Sequence, residues 1–291
     1  MATTVVGTSH RSAPATRRAV SRARRPVLLG LVFVWCLAPF GWLLSTSFKI
    51  GDRALNSPDL TQGPFGLDNY LSVMHEGFGY NLRNSLIVAG TTTVLCTSFG
   101  ALAAYALARL PLRRRVLILS AILAAALFPP VALLPPMFEL WRTFGLLNTY
   151  PGLYIPYTAF ILPLTIFILT TFFAAIPKDL EDAARIDGAT AFQAFRKIAL
   201  PLAMPGLVSA AIVVFVFAWN EFLLASAFAP RSLAAQTVPV AIAGFTGSVE
   251  FQRPIGTIAA ASVIVTVPLV IFVLVFQRRI VAGLASGGMK G

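Results

Sequence analysis

Four of the eleven acidic residues of this chain lie between positions 179 and 187, inside the one long polar interval of its second half. This interval, residues 176–206, contains the sequence EDAARIDGA, which begins at Glu181. Pro177 suits a first helical position, where its missing N–H costs nothing, and acidic residues suit the positive end of a helix dipole. We therefore expect a short helix from about 178 to 187, ended by Gly188 with a positive φ.

A second helix is expected to follow this turn. Thr190 and Gln193 have the spacing of a capping box, and the helix should end before Pro201, which cannot donate a hydrogen bond in a helix interior. Alanines beside the turn leave backbone accessible, and the phenylalanines of the second helix offer apolar area. Such a surface suits binding, either to a protein partner or to the interface of a lipid bilayer.

A second polar group interrupts an apolar run at Trp219, Asn220 and Glu221. A carboxylate inside a membrane span costs about 2.5 to 3.5 kcal/mol at the bilayer centre, so it faces a cavity, a polar partner or the headgroups. Two interpretations stay open for Glu221. It anchors the helix at the headgroup region together with Trp219, or all three residues line a central pathway whose aromatic and hydrogen-bonding groups would suit a sugar.

Composition places the chain in a membrane. Hydrophobic residues make up 57% and charged residues only 12% of it, whereas about 45 to 50% apolar residues is usual for a soluble protein. The net charge of +12 comes from basic residues in short loops and one tail, without the continuous basic face that nucleic-acid binding needs. Cys36 and Cys96 lie far apart in apolar runs, so neither a disulfide nor a metal site is indicated.

Six apolar runs are long enough to cross a hydrocarbon core of about 30 Å. The fold class that we expect is all-α, with spans at about 27–47, 84–108, 116–138, 152–173, 207–228 and 256–276. Residues 1–25 form a basic tail that is too polar to bury a core and should be disordered. A short surface helix is expected within 65–74. The proline pairs at 129–130 and 135–136 should break or kink the far end of the third span.

Six spans put both chain ends on one side of the membrane. Most lysines and arginines fall in the basic tail, the loop at 109–115, the interval at 176–206 and the C-terminus. By the positive-inside rule, these segments are cytoplasmic. The acidic-glycine interval should therefore face the cytosol, in a multi-pass protein of the inner or plasma membrane with both termini inside the cell.

The sequence EDAARIDGA followed by IALP resembles the EAA loop of ABC-importer permeases. In that family the loop docks as a coupling helix into a cleft of a cytoplasmic ATPase. The resemblance implies that the residues coupling this chain to such an ATPase are Glu181, Asp182, Ala183, Ala184, Asp187, Gly188 and Ala189.

Two further segments resemble carbohydrate-type permeases. FxWNEFLLA is similar to the fifth helix of relatives of the maltose importer's second membrane subunit, and FQRRIVAGLxSGxxKG is similar to the closing signature of maltose- and trehalose-type permeases. The resemblance implies that Gly283, Ser286 and Lys290 enter the interface of the ATPase dimer. It also implies that the loop with Gly244, Phe245 and Gly247 reaches into a solute-binding protein. The residues alone are equally consistent with a re-entrant turn for that loop and a flexible basic flank for the C-terminus.

The function implied is a permease subunit that carries a sugar, such as a disaccharide or short oligosaccharide, by alternating access. Its partners would be a second homologous permease, an ATPase dimer, an extracytoplasmic solute-binding (lipo)protein and membrane lipid. The sequence contains no Walker, HExxH or GxSxG motif, so ATP and magnesium would be used by the ATPase and no cofactor is expected on this chain.

Other functions are less consistent with the sequence. An importer for a polyol or a glycerol phosphate differs from the sugar hypothesis only in its substrate. An ion-coupled secondary transporter should show internal repeats and acidic residues deep in the membrane, but Glu221 is the sole acidic residue in any predicted span. A membrane-embedded enzyme would need a nucleophile or metal constellation.

Overall fold

The described part of the chain is built almost entirely from helices, in agreement with the expected all-α class. It comprises residues 15–50, 63–230, 234–245 and 255–287 of a computed structural model, with side chains for 26, 28–50, 63–230, 234–245 and 255–275. Within these ranges the only extended pairing is one isolated antiparallel bridge between Lys49 and Phe65. The helices are α1 Ala15–Phe48, α2 Asp68–His75, α3 Phe78–Arg109, α4 Arg115–Ala126, α5 Pro130–Thr143, α6 Tyr150–Ala175, α7 Asp179–Ile186, α8 Ala191–Leu202, α9 Met204–Asn220, α10 Leu223–Phe228, α11 Val238–Gly244 and α12 Ile255–Gly287.

Four of these helices are long and apolar enough to cross a membrane unaided. They are α3, α6, the Leu28–Phe48 part of α1 and the Ile255–Val275 part of α12. Two helix pairs reach the required length together but are bent, α4 with α5 by 78° and α8 with α9 by 75°. Counting each bent pair as one span gives six, which agrees with the number expected from the sequence.

Prolines explain the break between α4 and α5. Pro129 has an extended backbone with ψ 120°, and Pro130 begins α5 at the position where a missing N–H is harmless. The break predicted at the first proline pair is therefore confirmed, between Ala126 and Pro130. Pro135 and Pro136 lie inside α5 and do not end it, so the helix is not broken at the second proline pair.

The expected end of α8 before Pro201 is also wrong. Residues 195–199 form a π turn, in which the Leu200 N–H donates to the Phe195 carbonyl five residues earlier. Such a turn is wound more loosely than an α-helix, which gives the Pro201 ring space against the preceding carbonyls. The helix consequently continues to Leu202 and bends at Ala203.

The core lies where α3, α6 and α9 meet. One buried cluster includes Val88, Tyr157 and Trp219, and a second, nearer to α7, includes Ala104 and Phe173. Two glycines allow close helix approach. A Cβ at Gly100 of α3 would lie 2.8 Å from Thr165 Cγ2 of α6, and a Cβ at Gly206 of α9 would overlap the ring of Phe172.

Helix α1 differs from the other spans in its burial. Its residues from Leu28 to Leu44 are exposed or half-buried, and Trp35 is 82% exposed. The helix is attached at its C-terminal end, where Asn69 Nδ2 of α2 donates to the carbonyls of Ser47 at 3.0 Å and Lys49 at 2.8 Å. The helix also begins at Ala15 instead of residue 27. Part of the tail expected to be disordered is thus helical, as its alanines and arginines favour; residues 1–14 lie outside the described part.

Candidate functional site

The interval predicted to bind a partner folds as two short helices joined by a glycine turn, which we call the elbow (α7, residues 187–190 and α8). Helix α7 carries Asp179, Glu181 and Asp182 in its first turn. It ends in a Schellman motif, because the Gly188 N–H donates to the Arg185 carbonyl at 3.0 Å and the Ala189 N–H donates to the Ala184 carbonyl at 2.9 Å. Gly188 has φ +86°, so the predicted positive-φ turn is confirmed.

The start of α8 is fixed by a capping box, also as predicted. The Gln193 N–H donates to Thr190 Oγ1 at 3.2 Å, and the Thr190 N–H donates to Gln193 Oε1 at 2.8 Å. Both reciprocal bonds satisfy groups that a helix start leaves unpaired. The angle between the two helices of the elbow is therefore set by local sequence at the turn itself.

The outer face of the elbow carries apolar side chains among acidic ones. Ile186 is 87% exposed and Phe192 is 63% exposed. Among the predicted coupling residues, Asp182, Ala183, Asp187 and Gly188 are exposed, and Ala184 and Ala189 are half-buried. An exposed apolar patch with a polar rim is typical of a surface that another protein or a membrane contacts.

Glu181 is different from the other predicted coupling residues, because it lies on the inner face. It is 2% exposed, and its carboxylate accepts bonds from Arg109 Nε at 2.6 Å and from the Tyr105 hydroxyl at 2.7 Å. The same arginine donates from Nη2 to the Ile176 carbonyl at 3.0 Å. The structure thus connects Glu181 to the end of α3 rather than placing it on the exposed face of the elbow.

The three residues of the predicted pathway segment point in different directions. Trp219 is 2% exposed and packs on Phe215, with ring centroids 5.6 Å apart. Asn220 is exposed, and its Nδ2 donates to the Val216 carbonyl at 2.8 Å. Glu221 interrupts the fifth span, since its carboxylate accepts from the backbone N–H groups of Leu224 at 2.8 Å and Ala225 at 3.0 Å. Of these three residues, only Asn220 is exposed.

The predicted fifth span from 207 to 228 is accordingly not one helix. Helix α9 ends at Asn220, Glu221 is extended with ψ 123°, and α10 begins at Leu223. A carboxylate at a helix start satisfies backbone donors that would otherwise be unpaired at membrane depth. Capping of α10 is a role that neither interpretation of Glu221 from the sequence included.

A polar network joins the loop after α10 to the first turns of α3. Asn81 Nδ2 donates to the Gln236 carbonyl at 3.2 Å and to its side-chain oxygen at 3.0 Å, and Asn84 Nδ2 donates to the same carbonyl at 3.1 Å. The Val238 N–H donates to Ser85 Oγ at 2.8 Å. Helix α11 then packs on the bundle with Val238 fully buried. Of the predicted binding-protein residues, Gly244 and Phe245 end this helix, and Gly247 lies outside the described residues.

A protein-family comparison covers most of the chain. Residues 65–286 match the model of the family described as "Binding-protein-dependent transport system inner membrane component". The chain belongs to this family. It is therefore a multi-pass membrane component of a transport system, and not an enzyme.

Curated relatives and a solved structure agree with this assignment. The permease is 47% identical over 266 residues to the trehalose transport system permease protein SugB of Mycobacterium tuberculosis, covering 91% of this chain and 96% of that protein. It is 42% identical to the trehalose/maltose transport system permease protein MalG of Thermococcus litoralis, covering 90% and 94%. Its fold matches a chain of a bacterial ABC transporter involved in alginate import with a TM-score of 0.75 and 23% identity, over 92% of this chain and 98% of the other.

The C-terminal residues predicted to enter an ATPase interface lie at the limit of the described part. The backbone of the permease is helical in α12 through Gly283 and Ser286, and the helix ends at Gly287. Their side chains, and Lys290 as a whole, lie outside the described residues.

The sequence did not predict the residues that hold the elbow and the loop after α10 in place. Arg109 and Tyr105 precede Glu181 by 72 and 76 positions, and Gln236 lies more than 150 positions from its partners Asn81 and Asn84. One signal was available, because Arg109 closes a long apolar run and needed a partner to be buried there. The partner itself could not be chosen without the packing of α3, α6 and α7.

Proposed function

We propose that this chain is a permease subunit of an ATP-driven ABC importer that carries a trehalose- or maltose-like disaccharide or short oligosaccharide into the cytoplasm by alternating access. The observation that supports the substrate class most strongly is the 47% identity, across nearly the whole of both chains, to a permease named for trehalose transport. The second relative, named for trehalose and maltose, has nearly the same coverage. Both matches extend through the elbow, the broken fifth span and the segment between α10 and α12, which contains Gln236 and α11 and which we call the outer loop.

The elbow is proposed to dock into a cytoplasmic ABC ATPase. Its exposed Ile186 and Phe192 would enter an apolar cleft, and Asp182 and Asp187 would meet polar groups at its rim. ATP and magnesium would be bound and used by that ATPase dimer, and no cofactor is proposed for this chain. The tail residues Gly283, Ser286 and Lys290 are proposed to contribute to the same interface, which requires both chain ends to be cytoplasmic.

The second partner is a homologous permease. Residues 28–42 of helix α1 are exposed, and α9 presents Val213 and Phe217 on the same exposed face as Asn220. Because residues four and seven positions apart share one face of a helix, this stripe is suited to line the interface between the two permeases. Asn220 is then the residue of the Trp219–Glu221 segment that we propose to contact the sugar.

An extracytoplasmic solute-binding protein is proposed to meet the outer loop. The loop is held against α3 by Gln236 and against the bundle by α11, which leaves Gly244 exposed at its end. Gly244, Phe245 and Gly247 remain the proposed contact residues. Because these contacts hold the loop, docking of the binding protein would displace the spans and not the loop alone.

The proposed function is tested by reconstituting the permease with its partner permease, ATPase and binding protein in vesicles. We expect the binding protein loaded with trehalose or maltose to stimulate ATP hydrolysis and to drive sugar uptake that requires ATP. Stimulation by glycerol phosphate or a polyol, without stimulation by either sugar, would overturn the substrate class. Uptake driven by an ion gradient in ATP-free vesicles would overturn the ABC mechanism.

The test includes an elbow variant and a matched control outside the elbow. Ile186→Ala removes the most exposed apolar side chain of the elbow, and Leu127→Ala removes one that is 85% exposed but lies between α4 and α5. We expect only the first to reduce the amount of ATPase that co-purifies with the permease. Equal co-purification of both variants would remove the elbow from the docking surface.

A further inference from the structure

Helix α7, which the structure describes in full, buries one side chain, and that side chain is Glu181. Every other residue of the helix is exposed or half-buried. A helix that rested on the bundle for stability alone would bury apolar side chains. The inner face of α7 instead makes an ion pair with Arg109 in which the two side chains are 8% and 3% exposed.

The ion pair joins three elements at one point. Arg109 is the last residue of α3, its Nε bonds Glu181 of α7, and its Nη2 bonds the carbonyl of Ile176, the residue that ends α6. Tyr105, one turn earlier in α3, donates to the second oxygen of the same carboxylate at 2.7 Å. Its ring packs between Phe173 and Phe195, with centroids 5.7 and 4.8 Å away. The carboxylate is thus fixed through both oxygens.

A second polar contact lies at the opposite end of the same helix. Asn81 and Asn84, in the first two turns of α3, hold Gln236 of the outer loop. Helix α3 runs without interruption for 32 residues between these two contacts, and at 1.5 Å per residue Asn81 and Arg109 are about 42 Å apart along it. One continuous helix therefore connects the outer loop to the elbow.

We propose that α3 is the element that couples the two sides of the importer, with the bonds from Asn81 and Asn84 to Gln236 at its outer end and the Glu181–Arg109 pair at its inner end. The proposal deepens the proposed function and rests on the elbow being the docking site. Arrival of the binding protein at the outer loop displaces α3, and the buried ion pair transfers that displacement to α7 and the ATPase. Since binding linkage is reciprocal, an ATPase-driven movement of α7 reaches the outer loop along the same helix.

The properties of the pair suit this role. A buried charge that loses its partner strongly destabilises the folded protein. The two residues therefore separate only at a high free-energy cost. The only other ion pair within the described residues, Glu139 with Arg142, has 3.8 Å between its atoms and side chains about 70% exposed. Such a pair is weak and easily separated. The Glu139–Arg142 pair is therefore a matched control. It has the same chemistry, but it is exposed and lies within one helix, so it does not join two elements.

The test measures coupling for each assembled complex, as the ratio of ATP hydrolysis with the sugar-loaded binding protein to hydrolysis without it. Asn81→Ala removes the donor of two of the three bonds from α3 to Gln236. Glu181→Gln and Asn81→Ala should each lower this ratio by about tenfold, a typical effect of residues that couple distant sites. Glu139→Gln should leave the ratio unchanged. The two ends act in one pathway, so the double variant Glu181→Gln with Asn81→Ala should lose little more than either single variant.

A purely structural role for the cluster is distinguished by an apolar replacement. Tyr105→Phe, Arg109→Met and Glu181→Leu together leave no unpaired charge, and such replacements of buried ion pairs are often neutral for stability. We expect this triple variant to assemble with the ATPase as the parent does, measured by co-purification, and still to show the reduced ratio. Recovery of the full ratio would mean that the cluster only stabilises the fold, and would overturn the proposal.

Two results overturn the proposal by other routes. If Asn81→Ala keeps the full ratio while Glu181→Gln lowers it, α3 does not connect the two sides. If the effects of the single variants simply multiply in the double variant, the two ends act independently. Failure of the proposed function is recognised separately, because the unmodified complex would then show no sugar-stimulated hydrolysis against which a ratio could be compared.

Discussion

Substitution of Gly188 isolates the conformational requirement of the elbow. A Cβ added at this position would meet no atom within 4 Å, so a side chain causes no clash. The backbone, however, has φ +86°, and a residue with a Cβ costs about 1–2 kcal/mol in that region. Asparagine tolerates left-handed conformations better than alanine. Proline fixes φ near −65° and removes the N–H that donates to Arg185 at 3.0 Å. The expected order of disruption is therefore Asn, then Ala, then Pro.

The magnitude follows from the fraction of elbows that retain the docking conformation. A cost of about 1–2 kcal/mol shifts the equilibrium away from the docking conformation roughly 5- to 30-fold, and the apparent Kd for the ATPase rises by up to the same factor. We expect Gly188→Ala to show this increase when purified ATPase is titrated onto vesicles containing the permease. Gly188→Asn should show a smaller increase, and Gly188→Pro should abolish sugar-stimulated ATP hydrolysis while the protein still inserts in the membrane.

Gly145 provides the matched control for this series. It has φ +66° and open space around its Cβ position, but it lies between α5 and α6, outside the elbow. Gly145→Ala should therefore lower thermal stability without changing the affinity for the ATPase. Equal affinities of the parent and Gly188→Ala, or a weaker affinity for Gly188→Asn than for Gly188→Ala, would refute the reasoning.

Two further predictions concern the bundle. Glu221→Ala removes the acceptor for two backbone N–H groups of α10 and should destabilise the permease by about 1–2 kcal/mol, seen as a lower melting temperature in detergent; Glu221→Gln keeps one acceptor and should lose less. An increase in sugar KM with unchanged melting would instead indicate a substrate contact. Gly206→Val places side-chain atoms on the Phe172 ring and should cost about 1–3 kcal/mol. Gly90→Ala, which enters open space in α3, is its control, and equal melting of the two variants would contradict close packing of α6 and α9.

Features that depend on a few consecutive residues were predicted well from the sequence. The Gly188 turn and the Thr190–Gln193 capping box form as expected, because a positive φ and a reciprocal side-chain bond need only neighbouring positions. The number of spans agrees for a related reason, since the thickness of the bilayer sets the length of an apolar run regardless of tertiary packing.

Features that depend on the whole bundle could not be predicted. Nothing in the sequence near Glu181 shows that it faces inward, because its partner Arg109 is 72 positions away. The π turn that accommodates Pro201 and the backbone bonds that occupy Glu221 are likewise settled by packing. The roles of the coupling, pathway, loop and tail residues stay predictions, to be tested by the variants above.

The bend between α4 and α5 has a consequence for the lipids around the permease. Helix α4 has 12 residues, none of them buried, and at 1.5 Å per residue it rises about 18 Å, against roughly 30 Å of hydrocarbon. With α5 turned by 78°, this part of the molecule cannot match the full bilayer. The acyl chains beside it must shorten or splay, or a neighbouring subunit must fill the gap. The surroundings of the permease on this side, lipid or a neighbouring subunit, are therefore as much part of the folded state as its own side chains.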